Sequence, residues 1–214
     1  MQSRTYNPVD RIILQFDQLI SPFFTGPVYP VRPSPATSIA EQPLDRSDRR
    51  LSTGLMRVNH CGEVAAQALY QAQAFTARSR AIRESMDQAA REENDHLAWC
   101  RQRVLELGGH TSLLNPAWYA GAFSIGTVAG LAGDRWSLGF LAETERQVVE
   151  HLQGHLQRLP AQDLKSRAIV EQMQEEEARH GDRAEAMGGV ELPTAVKKAM
   201  RFCASIMTRT AYWL

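Results

Sequence analysis

The sequence lacks an excess of charge of either sign, because 24 Lys and Arg residues are balanced by 24 Asp and Glu residues. A net charge of zero removes the basic excess typical of nucleic-acid-binding proteins. Cysteine is also scarce: Cys61, Cys100 and Cys203 form no CxxC or zinc-finger spacing, so neither a disulfide framework nor a structural zinc site is predicted. We therefore expect a protein of a reducing, cytosol-facing compartment with no nucleic-acid partner.

The N-terminus also lacks the uninterrupted apolar core of a secretory signal peptide, since two arginines and two aspartates interrupt its first 20 residues. Residues 8–20 have an amphipathic order, which predicts one short surface helix. Six of the ten prolines then fall within residues 21–43, where they remove backbone donors and exclude a continuous helix. Residues 1–50 are thus predicted to be an amphipathic helix followed by a proline-rich arm.

The rest of the chain lacks the alternation of apolar and polar residues that strands require. From about residue 51 onward, apolar residues instead recur at steps of three and four in four long runs, which predicts an all-α four-helix bundle. Helix stop signals follow three of these runs: Gly108 and Gly109, then Pro160, then Gly188 and Gly189. Residues 51–214 are therefore predicted to form one helical domain.

Each run places a glutamate in its buried stripe, and two of the runs add a histidine three residues later on the same helix face. An ionised carboxylate inside a bundle costs several kcal/mol unless a cation or partner compensates it. Four carboxylates and two imidazoles are the ligand set of a di-iron or di-manganese site in a four-helix bundle. We predict two iron ions and assign the metal-binding and catalytic roles to Glu63, Glu93, His96, Glu145, Glu177 and His180.

A single Glu-x-x-His pair is weak support, because charges commonly line solvated helix faces, whereas two pairs phased with two lone glutamates are specific. His60 is on the face of Glu63 and is interpreted either as a hydrogen-bond partner behind the ligands or as a plain core histidine. His110 and His155 are predicted to be loop and surface residues. The neighbouring acidic residues predicted to be merely solvated are Glu92, Glu175 and Glu176.

Two segments favour contact with a membrane. Residues 111–133 carry no charge over a length that could span a bilayer, but Asn115, Pro116 and four glycines favour an interfacial or re-entrant helix instead. A buried crossover helix is the alternative. Residues 193–214 combine four basic residues with aromatic and aliphatic ones and no acidic residue, which predicts an amphipathic helix for an anionic membrane surface. A contact with a partner protein is equally compatible with this pattern.

The motifs at residues 59–63, 93–97 and 175–180, together with the Glu145 helix, resemble the demethoxyubiquinone hydroxylases of ubiquinone biosynthesis over roughly residues 52–214. The resemblance implies a ferritin-like bundle with a crossover helix and a C-terminal amphipathic helix. It implies a membrane-associated di-iron monooxygenase that uses O₂ to hydroxylate a polyprenylated methoxybenzoquinol. It also implies that the six residues are iron ligands and that His151 lies next to these ligands without binding iron itself.

The resemblance further implies NADH as the electron source, bound by other means than a Rossmann site or through a reductase, because the chain has no G-x-G-x-x-G loop. We expect a peripheral protein on the cytoplasmic face of the inner membrane, if the source is bacterial, with lipid-binding or ubiquinone-biosynthesis proteins as candidate partners. The competing hypotheses are a soluble di-iron hydroxylase acting on, for example, a modified tRNA base, and iron storage in a ferritin-like shell. The missing basic surface counts against the tRNA substrate.

Overall fold

The computed structural model describes residues 30–214, so the helix predicted at residues 8–20 lies outside the described residues. Within the described part, all regular structure is helical and no strand is present, which confirms the all-α prediction. The six helices are α1 (Arg46–Thr76), α2 (Arg80–Glu106), α3 (Asn115–Leu131), α4 (Asp134–Arg158), α5 (Leu164–Ala186) and α6 (Thr194–Ala211).

The four predicted runs correspond to α1, α2, α4 and α5, which form two antiparallel hairpins, α1–α2 and α4–α5. The first helix begins at Arg46, five residues earlier than the predicted run, because the Asp45 side chain caps it by accepting a hydrogen bond from Asp48 N. The predicted stop signals are confirmed, since α2 and α5 end just before Gly108 and Gly188, both of which have positive φ angles.

Two apolar clusters fill the bundle, one towards each end. The first contains Leu55, Trp99, Leu152 and Met173, and the second contains Tyr70, Met86, Leu138 and Ala184. On every helix of the bundle, the predicted ligand positions fall between the residues of these two clusters. The polar site is therefore placed at mid-height in the bundle, with apolar packing above and below it.

The uncharged segment forms α3, which is neither fully buried nor long enough to cross a membrane. Its inner face packs Tyr119 and Ala122 against α1, and its outer face exposes Ile125, Val128 and Leu131. No helix in the described residues is long and apolar enough to span a bilayer. The structure thus has a crossover helix with one buried face and one apolar exposed face.

The C-terminal segment forms the predicted amphipathic helix, α6, whose end docks on the beginning of α1. Arg57 donates hydrogen bonds to the Tyr212 carbonyl at 2.9 Å and the His110 carbonyl at 2.7 Å. Phe202 and Ile206 remain exposed on the outer side of α6. Both α3 and α6 contact α1 and α4, whereas the end of the proline-rich arm lies against α2 and α5, so these segments cover different faces of the bundle.

Close packing of α3 on α1 depends on Gly126. A Cβ at this position would lie 3.0 Å from the Leu69 carbonyl oxygen and 3.0 Å from Ala72 Cβ. Gly126→Ala should therefore lower the free energy of unfolding by about 1–3 kcal/mol. Gly121→Ala is the control, because a Cβ there meets nothing within 4 Å and alanine favours the helix by up to about 1 kcal/mol. Urea unfolding of both variants measures the difference, and equal effects would contradict the packing.

Candidate metal centre

The structure brings the predicted site residues together in the middle of the bundle. All four glutamates are at most 3% exposed, and His96 and His180 are buried as well. One ligand atom each from Glu63, Glu93, His96 and Glu177 lies within 4.8 Å of the others, a grouping that could hold a metal ion. The remaining residues adjoin this group: His180 contacts Glu93 and Glu177, and the charge of Glu145 interacts with those of the same two glutamates.

The two histidines face the carboxylates in the same way, through Nδ1. His96 Nδ1 lies 3.1 Å from Glu93 Oε2 and 3.0 Å from Glu177 Oε1. His180 Nδ1 lies 3.1 Å from the other oxygen of each of these carboxylates, Glu93 Oε1 and Glu177 Oε2. Glu93 and Glu177 therefore stand between the two imidazoles, and the site has the approximate two-fold symmetry that the repeated sequence motif predicts.

The lone glutamates occupy the two sides of this arrangement. Glu63 Oε2 lies 3.7 Å from His96 Nδ1, too far for a hydrogen bond, and this buried oxygen has no hydrogen-bond partner. Glu145 accepts a hydrogen bond of 2.7 Å from the Tyr70 hydroxyl, which fixes the orientation of its carboxylate. The charge of Glu145 also interacts with that of His180. Each histidine is therefore associated with one lone glutamate, and Glu93 and Glu177 contact both histidines.

Each histidine uses its second nitrogen to contact a carboxylate outside the central group. His96 Nε2 lies 2.7 Å from Glu176 Oε2, and His180 Nε2 lies 2.7 Å from Glu92 Oε2. If Nε2 carries the proton and donates it, the lone pair on Nδ1 points at carboxylate oxygens only 3.0–3.1 Å away. Two acceptors at this distance repel unless a proton or a cation lies between them. The donor set therefore fits a metal centre.

The pKa shifts in the site also indicate that its carboxylates have too little positive charge around them. Burial, with the charges of neighbouring glutamates, raises the pKa of Glu63 and Glu145 well above the usual range. Burial acts in the same direction on Glu93, but the adjacent imidazoles of His96 and His180 outweigh it and lower the pKa of this carboxyl. Burial would lower the pKa of His180, yet hydrogen bonds to Glu177 and Glu93 raise it to about 11. Without metal, the cluster retains protons to limit its repulsion.

The prediction that Glu92 and Glu176 are merely solvated is wrong. Glu176 is buried and contacts His96, and Glu92 is half-buried and contacts His180. The reason is that α2 and α5 face each other, so the residue just before each Glu-x-x-His glutamate reaches the histidine of the opposite helix. The doubled glutamate in both motifs, at 92–93 and 176–177, was the available signal. Glu175 is exposed, as predicted.

The prediction that His155 is a surface residue is also wrong, because its side chain is only 3% exposed. It continues the buried stripe of α4 between Leu152 and Leu159, and its ring lies 4.0 Å from that of His151. Burial lowers the pKa of His151 to about 4 and that of His155 further still, so both are neutral at pH 7. His110 is exposed in a loop, as predicted.

His60 is buried on α1 next to α3 rather than among the ligands. Its Nδ1 lies 3.4 Å from Asn115 Nδ2, and burial lowers its pKa to about 3. A neutral imidazole in contact with α3 favours the interpretation of His60 as a core histidine. Cys61 beside it is a free, buried thiol whose pKa burial raises to about 12, so it packs as a small apolar side chain.

Comparison with known proteins identifies the family. Residues 50–211 match the family model described as ubiquinone biosynthesis protein COQ7. The chain belongs to this family. The 3-demethoxyubiquinol 3-hydroxylase of Nitrosococcus oceani is 58% identical over 214 residues, which cover 100% of both chains. The enzymes of the same name from Nitrosomonas eutropha and Ralstonia pickettii are each 54% identical, and the alignments cover 96% and 95% of this chain and 99% of each relative. The resemblance noted in the sequence motifs is confirmed.

The raised pKa of Glu63 predicts that this residue destabilises the metal-free protein at neutral pH. Above pH 4.5, the Glu63 carboxyl is protonated in the folded state but ionised in the unfolded state. The free-energy cost of taking up this proton on folding therefore grows as the pH rises. Glu63→Gln should therefore increase the free energy of unfolding of the metal-free protein by about 1–3 kcal/mol at pH 7.

The gain should disappear near pH 4, where the carboxyl is protonated in both states. The matched control is Glu175→Gln, which removes a carboxylate from exposed helix surface and should change stability by no more than about 0.5 kcal/mol at either pH, because its ion pair with Arg179 is solvent-exposed. Urea unfolding of the chelator-treated proteins at pH 7 and pH 4 measures these differences. A loss of stability at pH 7 in Glu63→Gln would show that the carboxylate is not under electrostatic strain.

Proposed function

We propose that this protein is a 3-demethoxyubiquinol 3-hydroxylase of ubiquinone biosynthesis whose buried cluster holds two iron ions. The observation that carries the proposal is the paired arrangement of the cluster, in which two imidazole Nδ1 atoms face two shared carboxylates. The similarity to enzymes bearing this name over the full chain supports the substrate assignment.

Under this proposal, each iron position takes one histidine and one lone glutamate. Glu63 and His96 would bind one ion, Glu145 and His180 would bind the other, and Glu93 with Glu177 would be shared. Four carboxylates balance the charge of two divalent ions, which removes the repulsion that the metal-free cluster suffers. All six residues lie on long helices packed above and below by apolar clusters, so the ligands are held in place and bulk water is excluded.

The reaction converts one ring C–H bond of the quinol to C–OH. One oxygen atom of O₂ enters the ring and the other leaves as water, which requires two electrons and two protons from a reductant. NADH is the proposed source, acting directly or through a reductase. Two bound ferrous ions supply the capacity to reduce O₂. The chain's own part is to orient the ligands: Tyr70 holds Glu145 at 2.7 Å, and Glu92 and Glu176 hold the two imidazoles.

Quinone profiling by mass spectrometry in cells that lack the gene tests the reaction. The deletion should accumulate demethoxyubiquinone, and the wild-type gene should clear it. Glu177→Ala should fail to clear it, because it removes a shared ligand from the centre. Glu175→Ala, two residues away on the exposed side of the same helix, should clear it as the wild type does.

A normal ubiquinone profile in a deletion strain without a redundant enzyme would contradict the hydroxylase assignment. Clearance by Glu177→Ala would contradict the ligand assignment while leaving the reaction intact. The same variants, purified and loaded with ferrous iron, should reproduce this pattern with a demethoxyquinol and a reductant.

The substrate also predicts a membrane-bound enzyme. Moving a polyprenyl tail out of a bilayer costs about 0.8 kcal/mol for each CH₂ group, so the enzyme should meet its substrate at the membrane. The exposed apolar faces of α3 and α6 are the surface we propose for this contact. Trp118 of α3 and Met207 of α6 pack against the same small buried cluster, which contains Val58, Cys61 and Ala211, and α6 also carries four basic residues. This composition matches an anionic lipid surface.

The double variant Phe202→Ser and Ile206→Ser should bind vesicles of anionic and neutral phospholipid about tenfold more weakly than the wild type, because it removes two exposed apolar side chains from α6. Leu164→Ser is the control, since Leu164 is similarly exposed but lies at the start of α5. Co-sedimentation with the vesicles measures binding. An equal loss in both proteins, or no loss in the double variant, would contradict the proposed surface.

A further inference from the structure

The end of the proline-rich arm docks beside the metal centre through Arg32. The guanidinium contacts both oxygens of Glu176, with Nη1 at 2.6 Å and Nη2 at 2.9 Å, and its Nε lies 2.6 Å from Asp95 Oδ2. The guanidinium also lies over the Trp99 ring, 5.1 Å from its centroid, and the Trp99 indole donates to the Arg32 carbonyl. The Val31 amide adds a hydrogen bond of 2.6 Å to Asp95.

These contacts connect the arm to a candidate metal ligand through one intermediate residue. The oxygen of Glu176 that receives Nη2 of Arg32, Oε2, is also the atom that lies 2.7 Å from His96 Nε2. On the opposite side of the ring, His96 Nδ1 faces Glu93 and Glu177. The orientation of the imidazole is therefore determined by a carboxylate that a two-pronged ion pair holds in place.

The other half of the centre has no such support. Glu92, the partner of His180, accepts a hydrogen bond from the Gln88 amide at 2.9 Å, and its side chain is 32% exposed, compared with 6% for Glu176. Within residues 30–214, no lysine or arginine forms an ion pair with Glu92. The charge of Arg183 acts on Glu92 without such a contact. The six candidate ligands repeat symmetrically, but the carboxylates behind the two histidines differ in burial and in the cations that contact them.

We propose that Arg32 is a positioning residue that makes the metal position served by His96 the tighter of the two. This inference rests on the proposed function to the extent that the cluster binds iron. Without Arg32, Glu176 would lose its bidentate ion pair and keep the imidazole and the Gln172 amide at 2.6 Å. The one other cation in contact with it within residues 30–214 is Arg179, whose half-exposed guanidinium lies 3.5 Å away, and the departure of the arm would open the carboxylate to solvent. The carboxylate would turn outward and release His96 Nε2, and the ring would lose its fixed orientation. Lysine has a single ammonium group, so it cannot replace the two hydrogen bonds to Glu176 together with the Nε contact to Asp95.

Anaerobic titration of the metal-free, full-length protein with ⁵⁷Fe(II), followed by Mössbauer spectroscopy, tests this role. In the wild type, the first equivalent of iron should populate mainly one quadrupole doublet. Arg32→Ala should weaken that position about tenfold and change its doublet while the other doublet stays the same. Arg32→Lys should give an intermediate affinity. Glu92→Gln should change the second doublet and not the first, which assigns the two positions.

Glu41→Gln is the matched control for docking of the arm. Glu41 belongs to the same segment and receives two hydrogen bonds from Arg103, at 2.7 Å and 3.0 Å, but does not contact Glu176. This variant loosens the arm at a separate anchor and should leave both doublets and both affinities unchanged. Circular dichroism verifies folding, and Arg32→Lys supplies the comparison if Arg32→Ala does not fold.

Three results would overturn the inference. Unchanged iron affinities and doublets in both Arg32 variants would show that the ion pair does not act on the centre. The same change in Glu41→Gln as in Arg32→Ala would assign the effect to docking of the arm in general. A wild-type protein that binds no ferrous iron would overturn both the metal centre and the role of Arg32. If the wild type binds two ions and Arg32→Ala binds them with the same affinities, only the role of Arg32 is overturned.

Discussion

Mutual repulsion among four buried glutamates is the constraint on which the rest of the structure depends. A bundle of this size is stabilised by apolar packing, yet its centre carries carboxylates that are at most 3% exposed. The two apolar clusters lie on either side of this polar layer, so apolar packing holds the helices together above and below the carboxylates. The buried carboxylates therefore lower the stability of the folded chain when no cation is bound. Functional sites commonly reduce stability in this way.

Polar contacts, rather than apolar ones alone, bring the two hairpins together around this layer. His96 and His180 on different hairpins contact Glu176 and Glu92, respectively, and Tyr70 of α1 donates to Glu145 of α4. Each of these bonds crosses from one hairpin to the other, so the same contacts that orient the candidate ligands also join the two halves. A change in these outer residues is therefore expected to affect both ligand geometry and hairpin docking.

The sequence alone predicted the bundle and the six clustered residues, because both depend on local spacing. Steps of three and four define a helix face, and glycine or proline marks its end, so these features are visible within one segment. Glu92 and Glu176 were missed because an isolated helix places the residue before a ligand off the ligand face, where it is indistinguishable from solvated charge. Only docking of the opposite hairpin covers it. Arg32 is 144 residues from Glu176, and no local pattern connects such a pair.

The arm therefore makes the two halves of the site different, although both halves carry the same ligand motif. Its contacts lie on α2 and α5, on the side of the Glu176 carboxylate, whereas the apolar helices α3 and α6 contact α1 and α4. If the quinol approaches from the membrane side, the arm closes the face from which water, rather than substrate, would reach the imidazole of His96. Under the proposed function, a symmetric pair of hairpins with one face against lipid and the other covered by the arm would have two unequal metal positions. The proposed hydroxylation would place one atom of O₂ in the ring and release the other as water, and two unequal metal positions would give these two atoms different surroundings.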